Sequence, residues 1–213
     1  MQLQFMACLA LASALSIPVQ AASATRVFDD EKPKPLEIGS TVPEEFSLTD
    51  FEGKPTSFKD LRGKVVLLHF WSDRCPAEVH ADPIFMAMEK KYAGSKDVVL
   101  LGIASNQNEL GEKPPKDADY TKFYDALRKK RDKVGYKHTI LADHGNVASD
   151  LFGARTTPHC FVIDAKGVLQ YAGALDDDPR GDKKDKATNY LVDAATALLA
   201  DKKPTVTTTK PYG

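Results

Sequence analysis

Cysteine is scarce in this chain, with three residues in 213. Small secreted domains that cannot build a sufficient core depend on several disulfides, and a chain of this length with so few cysteines is not built in that way. Cys8 lies in an apolar leader, which leaves Cys75 and Cys160 for the rest of the chain. We expect these two to be either a reactive pair or one reactive and one buried thiol.

Net charge is also nearly absent, because 29 lysines and arginines face 30 aspartates and glutamates. The chain therefore has no basic field that would recruit nucleic acid or an anionic membrane. Its length fits one globular domain with tails, long enough to bury a core. Composition argues against nucleic-acid binding and names no partner.

The first two dozen residues carry no charged side chain. A short apolar run from Phe5 to Val19 is followed by small residues that suit a cleavage site, which predicts a secretory signal peptide over residues 1–24. The run is too short for a membrane span and Pro18 interrupts it. We expect an exported, periplasmic or extracellular protein with no stable membrane span after cleavage. A flexible arm over residues 25–41, a domain over 42–201 and an extended tail over 202–213 complete the expected organisation.

Alternating strand and helix patterns predict an α/β sandwich with a mixed sheet. The segment from Phe46 to Phe58 alternates apolar and polar residues around a Glu-Gly-Lys-Pro turn, which is typical of a hairpin. Further strands are predicted over residues 65–70, 98–104, 138–142, 160–163 and 168–172, and helices over 76–94, 119–133, 147–152 and 187–199.

The second cysteine of a Cys-x-x-Cys site is missing where the pattern would place it. The buried run from Val65 to Phe70 leads to Cys75, which is followed by Pro76 at the predicted start of a helix. Three residues after Cys75 stands Glu78. The chain thus carries the attacking sulfur of such a site without its neighbour along the helix.

Three stretches, in this order and spacing, resemble the redoxin branch of the thioredoxin superfamily, which includes the thiol-specific antioxidant proteins. The first runs from Phe46 through Asp60-Leu-Arg-Gly-Lys to Trp71, the second from Trp71 to Glu78, and the third is Thr156-Thr-Pro-His-Cys-Phe-Val-Ile-Asp-Ala-Lys-Gly167. The resemblance covers about residues 42–200. It implies a thioredoxin-like three-layer α/β/α sandwich with a central mixed sheet and an N-terminal β-hairpin extension.

The resemblance also implies that Pro158 is cis and that its loop faces Cys75. His159 would then be able to steady the thiolate, shuttle a proton or line a substrate groove, while an ordinary hydrogen-bonded histidine is an equal alternative. Cys160 is most simply a small core residue. The sharper alternative is a resolving thiol that forms a disulfide with Cys75.

Cys75 is the predicted nucleophile. A helix N-terminus favours the ionised sulfur, and Arg74 adds a cation beside it, whereas Glu78 opposes the thiolate. Pro76 suits the first helical turn because its missing N–H has no intrahelical acceptor.

Three classes of function remain open. The leading one is a thiol–disulfide oxidoreductase, in which Cys75 attacks a disulfide or oxidised thiol of a protein or small-molecule client, and Cys160, another protein or a small thiol resolves the mixed disulfide. The second is a peroxiredoxin-like peroxidase that forms a sulfenic acid on Cys75, with Ser72 in place of that family's threonine. In both, an external reductant is the expected partner and no cofactor is expected.

The third class is non-catalytic. Either a degenerate thioredoxin fold binds clients without turnover, or a thiolate with imidazoles binds copper through Cys75, His80 and His159. We expect no metal at the site in the leading interpretation.

Overall fold

Apolar and β-branched runs form one sheet of seven strands. A computed structural model describes residues 34–183 and 186–213. The strands are Ser47–Asp50 (β1), Pro55–Ser57 (β2), Val65–Trp71 (β3), Val98–Ala104 (β4), Thr139–Ala142 (β5), His159–Ile163 (β6) and Leu169–Gly173 (β7). The helices are Glu78–Lys91 (α1), Gln107–Leu110 (α2), Asp125–Val134 (α3), Val147–Phe152 (α4) and Tyr190–Leu199 (α5), with 3-10 turns at Tyr120–Lys122 and His144–Asn146.

The strand order is β2-β1-β5-β4-β3-β6-β7. β3, β4 and β5 are parallel, whereas β1 and β6 run antiparallel to their neighbours β5 and β3. All seven residues of β3 are buried, as a strand covered on both faces requires. The carboxyl end of β3 and the amino end of β6 lie next to each other at one end of the sheet. The residues after Trp71 are therefore close to the residues before His159.

Two apolar cores lie on opposite faces of the sheet and make the three-layer sandwich. One face packs against α1, α3 and α5 through residues such as Phe85, Leu127 and Leu191. The other face packs against α4 and the N-terminal hairpin through Phe152 and Phe58. Successive β6 residues alternate between the cores, so Cys160 faces α1 while Phe161 faces α4. The predicted fold class and its mixed sheet are confirmed.

The predicted N-terminal hairpin is also confirmed, since β1 and β2 pair antiparallel. The Asp50 carboxylate accepts backbone N–H groups of Glu52 and Lys54 and closes the turn between them. Gly53 has φ +87, a conformation that a residue without a Cβ adopts readily. The local sequence thus fixes the register of the hairpin.

Three predicted helices differ in their bounds. α1 begins at Glu78, so Pro76 lies in the turn before the helix rather than in its first turn. Asp119 caps only a 3-10 turn, because Tyr124 adopts a left-handed conformation with φ 56 and α3 begins after it. At this break in the helix, the Tyr124 ring packs against Phe51 at a tilt, with ring centroids 5.1 Å apart. The closing helix starts at Tyr190, where the Asn189 side chain accepts the Val192 N–H.

Residues 207–213, which we call the strap, lie along the outer edge of β7. The Ala172 N–H donates to the Thr207 carbonyl at 3.0 Å, and the Thr209 N–H donates to the Ala172 carbonyl at 3.2 Å. The bridge to Thr208 is parallel. The predicted extended tail is therefore extended against the sheet, where it covers the edge strand.

The predicted signal peptide and most of the predicted arm lie outside the described residues. Within residues 34–183 and 186–213, no helix has the length and apolar character needed to cross a bilayer.

Candidate active site

Cys75 lies in the turn between β3 and α1, and its side chain is half-buried. The thiol donates to the carbonyl oxygen of Thr157 at 2.8 Å. The Thr157–Pro158 peptide bond is cis, the isomer that the resemblance implies. The structure thus brings the Cys75 turn and the proline loop together at one end of the sheet.

Glu109 holds the turn that presents Cys75. Its carboxylate accepts the hydroxyl of Ser72 at 2.7 Å and the backbone N–H of Asp73 at 2.9 Å. The Ser72 oxygen in turn accepts the N–H of Arg74 at 3.3 Å. The Ser72 hydroxyl proton is therefore engaged by Glu109, and the guanidinium-bearing residue Arg74 is exposed.

No sequence motif identifies Glu109. It comes from α2, a helix of four residues, and it lies 37 positions from Ser72. The only local signal is Asn106, whose side chain caps α2 and also donates to Glu109.

Glu78 is fully buried, although it stands in the first position of α1. Neither carboxyl oxygen has a hydrogen-bond partner among the described residues. Burial, with a smaller contribution from the negative charge of Asp82, raises the pKa of Glu78 well above its usual range. Burial therefore disfavours the charged form of Glu78, which weakens its predicted opposition to a Cys75 thiolate.

Cys160 lies on the sheet face covered by α1, with no exposed surface. Both Cys75 and Cys160 are free thiols. Burial raises the pKa of the Cys160 thiol well above its usual range, and the nearby Asp176 carboxylate adds to the shift. This environment keeps Cys160 protonated and suits a core residue better than an attacking thiol.

His159 faces the opposite side of the sheet from α1. It packs on Phe161 with ring centroids 4.5 Å apart, and its Nδ1 accepts the backbone N–H of Arg155 at 3.3 Å. Burial, followed by the charge of Arg155, lowers the pKa of His159 to about 4. The structure does not bring this imidazole to Cys75, because alternation along β6 turns it toward the α4 layer.

His80 lies on α1 and contacts the buried carboxylate of Asp176, with Nε2 and Oδ2 3.1 Å apart. The Tyr212 hydroxyl donates to the other oxygen of Asp176 at 2.5 Å. Asp176 thus joins α1 to the strap, a connection that no sequence pattern indicated. Among residues 34–183 and 186–213, no three histidine, cysteine or acidic side chains are arranged to hold a metal ion.

A second network of buried polar side chains links His69 on β3 to Glu89 on α1 through His138. His69 Nε2 is 2.9 Å from His138 Nε2, and His138 Nδ1 is 2.5 Å from Glu89 Oε1. Burial, and then the neighbouring His138, lowers the pKa of His69 well below its usual range. A neutral His69 can donate from Nε2 to His138, whose Nδ1–H is held by Glu89. The contacts of His69 in this network show that it is a structural residue of the core.

A cleft of about 220 Å³ opens beside the turn. Its lining combines the apolar side chains of Phe70 and Ala154 with polar ones, among them Ser72, Asn106 and Arg155. Because Ser72 and Thr157 both line the cleft, it lies next to the Cys75 turn and the proline loop.

Comparisons with known proteins relate the chain to a family. Residues 38–172 match the sequence model of the AhpC/TSA family. The chain is 30% identical over 141 residues, 66% of its length and 70% of its relative's, to the thiol-disulfide oxidoreductase ResA of Bacillus anthracis. It is 31% identical over 141 residues, 62% of its length and 56% of its relative's, to the chloroplastic peroxiredoxin Q of Triticum aestivum.

Two crystal structures share the fold. A hypothetical protein from Sinorhizobium meliloti 1021 superimposes with a TM-score of 0.68 at 24% identity, covering 84% of this chain and 93% of the other. An uncharacterized conserved protein from Geobacillus kaustophilus gives 0.67 at 22% identity, covering 85% and 90%. At these identities, the two structures bear on the fold alone.

Proposed function

The chain belongs to the AhpC/TSA family of thiol oxidoreductases within the thioredoxin superfamily, and from that premise we propose that it is an exported enzyme of thiol–disulfide exchange with Cys75 as its only nucleophile. The observation that carries the proposal is the half-buried Cys75 thiol, held by the Thr157 carbonyl beside the cis proline. The named activity of the Bacillus relatives supports the same reaction class.

The reaction has two balanced steps. The Cys75 thiolate attacks one sulfur of a client disulfide, so that a bond from Cys75 to the client forms and the client's own S–S bond breaks. The released client sulfur leaves as a thiolate and takes a proton. A second thiol, from the client or from a small molecule, then attacks the mixed disulfide and returns Cys75 as a thiolate.

Because Cys160 is buried, a thiol from a second molecule is needed to resolve the mixed disulfide on Cys75. A protonated thiol with no exposed surface is a poor attacking group. Glu78 occupies the position of a second active-site cysteine and cannot form a disulfide. The enzyme is therefore suited to isomerase-like or monothiol exchange, and it would be a poor dithiol reductant.

Peroxidase activity is the second candidate, favoured by the family and by the peroxiredoxin Q relative. A peroxide would need a hydrogen-bond donor near Cys75 to polarise it. The Ser72 hydroxyl donates to Glu109 instead. Because this hydroxyl is already used, we rank thiol–disulfide exchange above peroxide reduction.

The test is covalent trapping with an aromatic disulfide reagent at neutral pH, followed by mass mapping of the adduct. Trapping at Cys75 in the natural sequence and in Cys160→Ala, with none in Cys75→Ser, is the expected result. An adduct on Cys160, or none on either cysteine, contradicts the proposal. Rapid peroxide consumption with a sulfenic acid on Cys75, but without mixed-disulfide formation, would establish the peroxidase in its place.

Export is tested separately by the mass of the protein recovered from outside the cytoplasm. A chain that begins close to Thr25 is expected. Recovery of Met1 in the intact chain from the cytoplasm contradicts this part of the proposal.

A further inference from the structure

The topology of the sheet brings the strap to the active site. β6 begins at the end of the sheet where Cys75 lies, β7 runs antiparallel to β6, and the strap runs parallel to β7. The last residues of the strap therefore lie at the same end of the sheet as Cys75. The strap is thus packed on the domain and reaches the neighbourhood of the Cys75 thiol.

Side-chain hydrogen bonds fix the middle of the strap. The Thr209 hydroxyl accepts the N–H of Ala174 at 2.8 Å and shares a hydrogen bond of 2.6 Å with the buried hydroxyl of Tyr171. A side chain at Gly173 would collide with Thr209, so the close approach depends on this glycine. The edge of β7 is thus shaped to receive an extended backbone.

The end of the strap lies on the residue that holds the Cys75 thiol. The Thr156 hydroxyl donates to the Tyr212 carbonyl at 3.4 Å, and the Tyr212 hydroxyl reaches Asp176. Gly213 packs against the Thr157 backbone so closely that a Cβ there would collide with the Thr157 carbonyl oxygen. That same oxygen accepts the Cys75 thiol proton.

We propose that the outer edge of β7 and the Thr157 backbone form a docking surface for an extended peptide segment of a protein client, and that the strap occupies this surface in competition with the client. The inference rests on the proposed exchange function and adds the class of substrate. Binding of an extended segment to a strand edge supplies backbone hydrogen bonds, and pockets supply side-chain preference.

The strap itself indicates which peptides fit. The position beside Thr157 accepts glycine because no Cβ has room there. The position before it takes an aromatic hydroxyl, which Asp176 binds. We therefore expect preference for an extended segment that contains Tyr-Gly.

Release of the strap should speed the reaction of Cys75 with a peptide. The probe is an extended peptide that carries a Tyr-Gly pair and a cysteine in disulfide linkage to an aromatic thiol. Tyr212→Ala removes the bond to Asp176, and Gly213→Ala places a methyl group against Thr157. Each is expected to raise the rate of mixed-disulfide formation about tenfold, which corresponds to about 1.4 kcal/mol, with no change in Val206→Ala, an exposed position just outside the strap.

Reaction with iodoacetamide, which needs no peptide surface, is expected to change much less than reaction with the peptide. Equal peptide rates in the natural sequence, Tyr212→Ala and Gly213→Ala would overturn the inference. Two different strap variants are used because either one alone could act by loosening the fold.

Direct binding separates this inference from the exchange function. A fluorescent peptide with the sequence of residues 205–213 is titrated into the double variant Cys75→Ser, Tyr212→Ala, where no thiol chemistry occurs at Cys75. Saturable binding that weakens when the peptide's glycine is replaced by alanine is expected, and it is independent of whether Cys75 exchanges disulfides. Absence of binding, or no preference between the two peptides, contradicts the docking surface even if Cys75 proves to be the nucleophile.

Discussion

The Cys75 thiol donates a hydrogen bond of 2.8 Å to the Thr157 carbonyl, 82 residues away in sequence. This bond requires the proton on sulfur. When the thiolate forms, two groups with lone pairs face each other at the same distance, so the sulfur is released from the loop. Because the thiolate is the attacking species, reaction with a client requires loss of the bond to Thr157.

Cys75→Ser should keep the fold while losing the chemistry. A serine hydroxyl can donate to the same carbonyl, so we expect the free energy of unfolding to change by less than about 1 kcal/mol. Urea denaturation checks this value alongside the trapping experiment. A large loss of stability in Cys75→Ser would show that the thiol has a packing role that the hydroxyl does not reproduce.

Glu109→Ala should loosen the turn that presents Cys75. The carboxylate accepts two hydrogen bonds there, one from a hydroxyl and one from a backbone N–H. A hydrogen bond contributes about 1 kcal/mol net at a partly exposed site such as this one, so we expect the loss of both bonds to lower the free energy of unfolding by about 2 kcal/mol and to slow exchange. Denaturation and the trapping rate measure the two effects.

Ser72→Ala is the matched control for that variant. It removes the hydroxyl bond to Glu109 and the long bond from the Arg74 N–H, but it leaves the Asp73 N–H bonded to Glu109. We expect a smaller loss of stability, about 1 kcal/mol, and nearly unchanged exchange. Loss of exchange in Ser72→Ala with exchange retained in Glu109→Ala would reverse the roles assigned to these residues.

The family resemblance implied a cis Pro158 that faces Cys75, whereas local patterns predicted the sheet, the hairpin and the position of Cys75 before a helix. Those features depend on residues that are neighbours in sequence or that repeat with the period of a strand or helix. Glu109 and Tyr212 could not be found in this way, because their partners Ser72 and Asp176 are 37 and 36 positions away. Only the course of the chain brings such pairs together.

The break at Tyr124 was missed for a related reason. Helical spacing continues through it, whereas the structure places Tyr124 in a left-handed conformation with its ring against Phe51, a residue distant in sequence. Similarly, the proline loop was located by motif, but the alternation of β6 decides that Cys160 faces α1 and His159 faces away. The sequence contains these residues without specifying which face each one occupies.

Acid should destabilise the protein through His159. In the folded chain its Nδ1 accepts the Arg155 N–H, and its pKa is lowered from 6.5 to about 4. Between these two pH values the unfolded state binds a proton that the folded state does not, so the free energy of unfolding falls as the pH falls. Urea denaturation from pH 7 to pH 4 measures the slope.

His159→Asn should have a shallower slope over the same pH range, because asparagine does not titrate and its amide oxygen can accept the Arg155 N–H. His69 has a lowered pKa as well, so some acid sensitivity is expected to remain in this variant. Parallel curves for His159→Asn and the natural sequence would show that His159 does not contribute to the acid response.

Glu78→Gln should stabilise the protein increasingly as the pH rises. Burial raises the pKa of Glu78 above 4.5, the value for the unfolded chain. Below 4.5 both states hold the proton and the substitution has little effect. Above it the unfolded state releases the proton while the folded state retains it, so the free energy of unfolding of the natural sequence declines with pH until the folded pKa is passed. Glutamine has no proton to release, and its advantage in free energy of unfolding should therefore grow across this pH window.

Denaturation curves from pH 4 to pH 8 check the prediction, with the exposed Glu45→Gln as the control. If the difference in free energy of unfolding between Glu78→Gln and the natural sequence is the same at every pH, Glu78 ionises in the folded protein as readily as in water. The raised pKa of Glu78 would then be wrong.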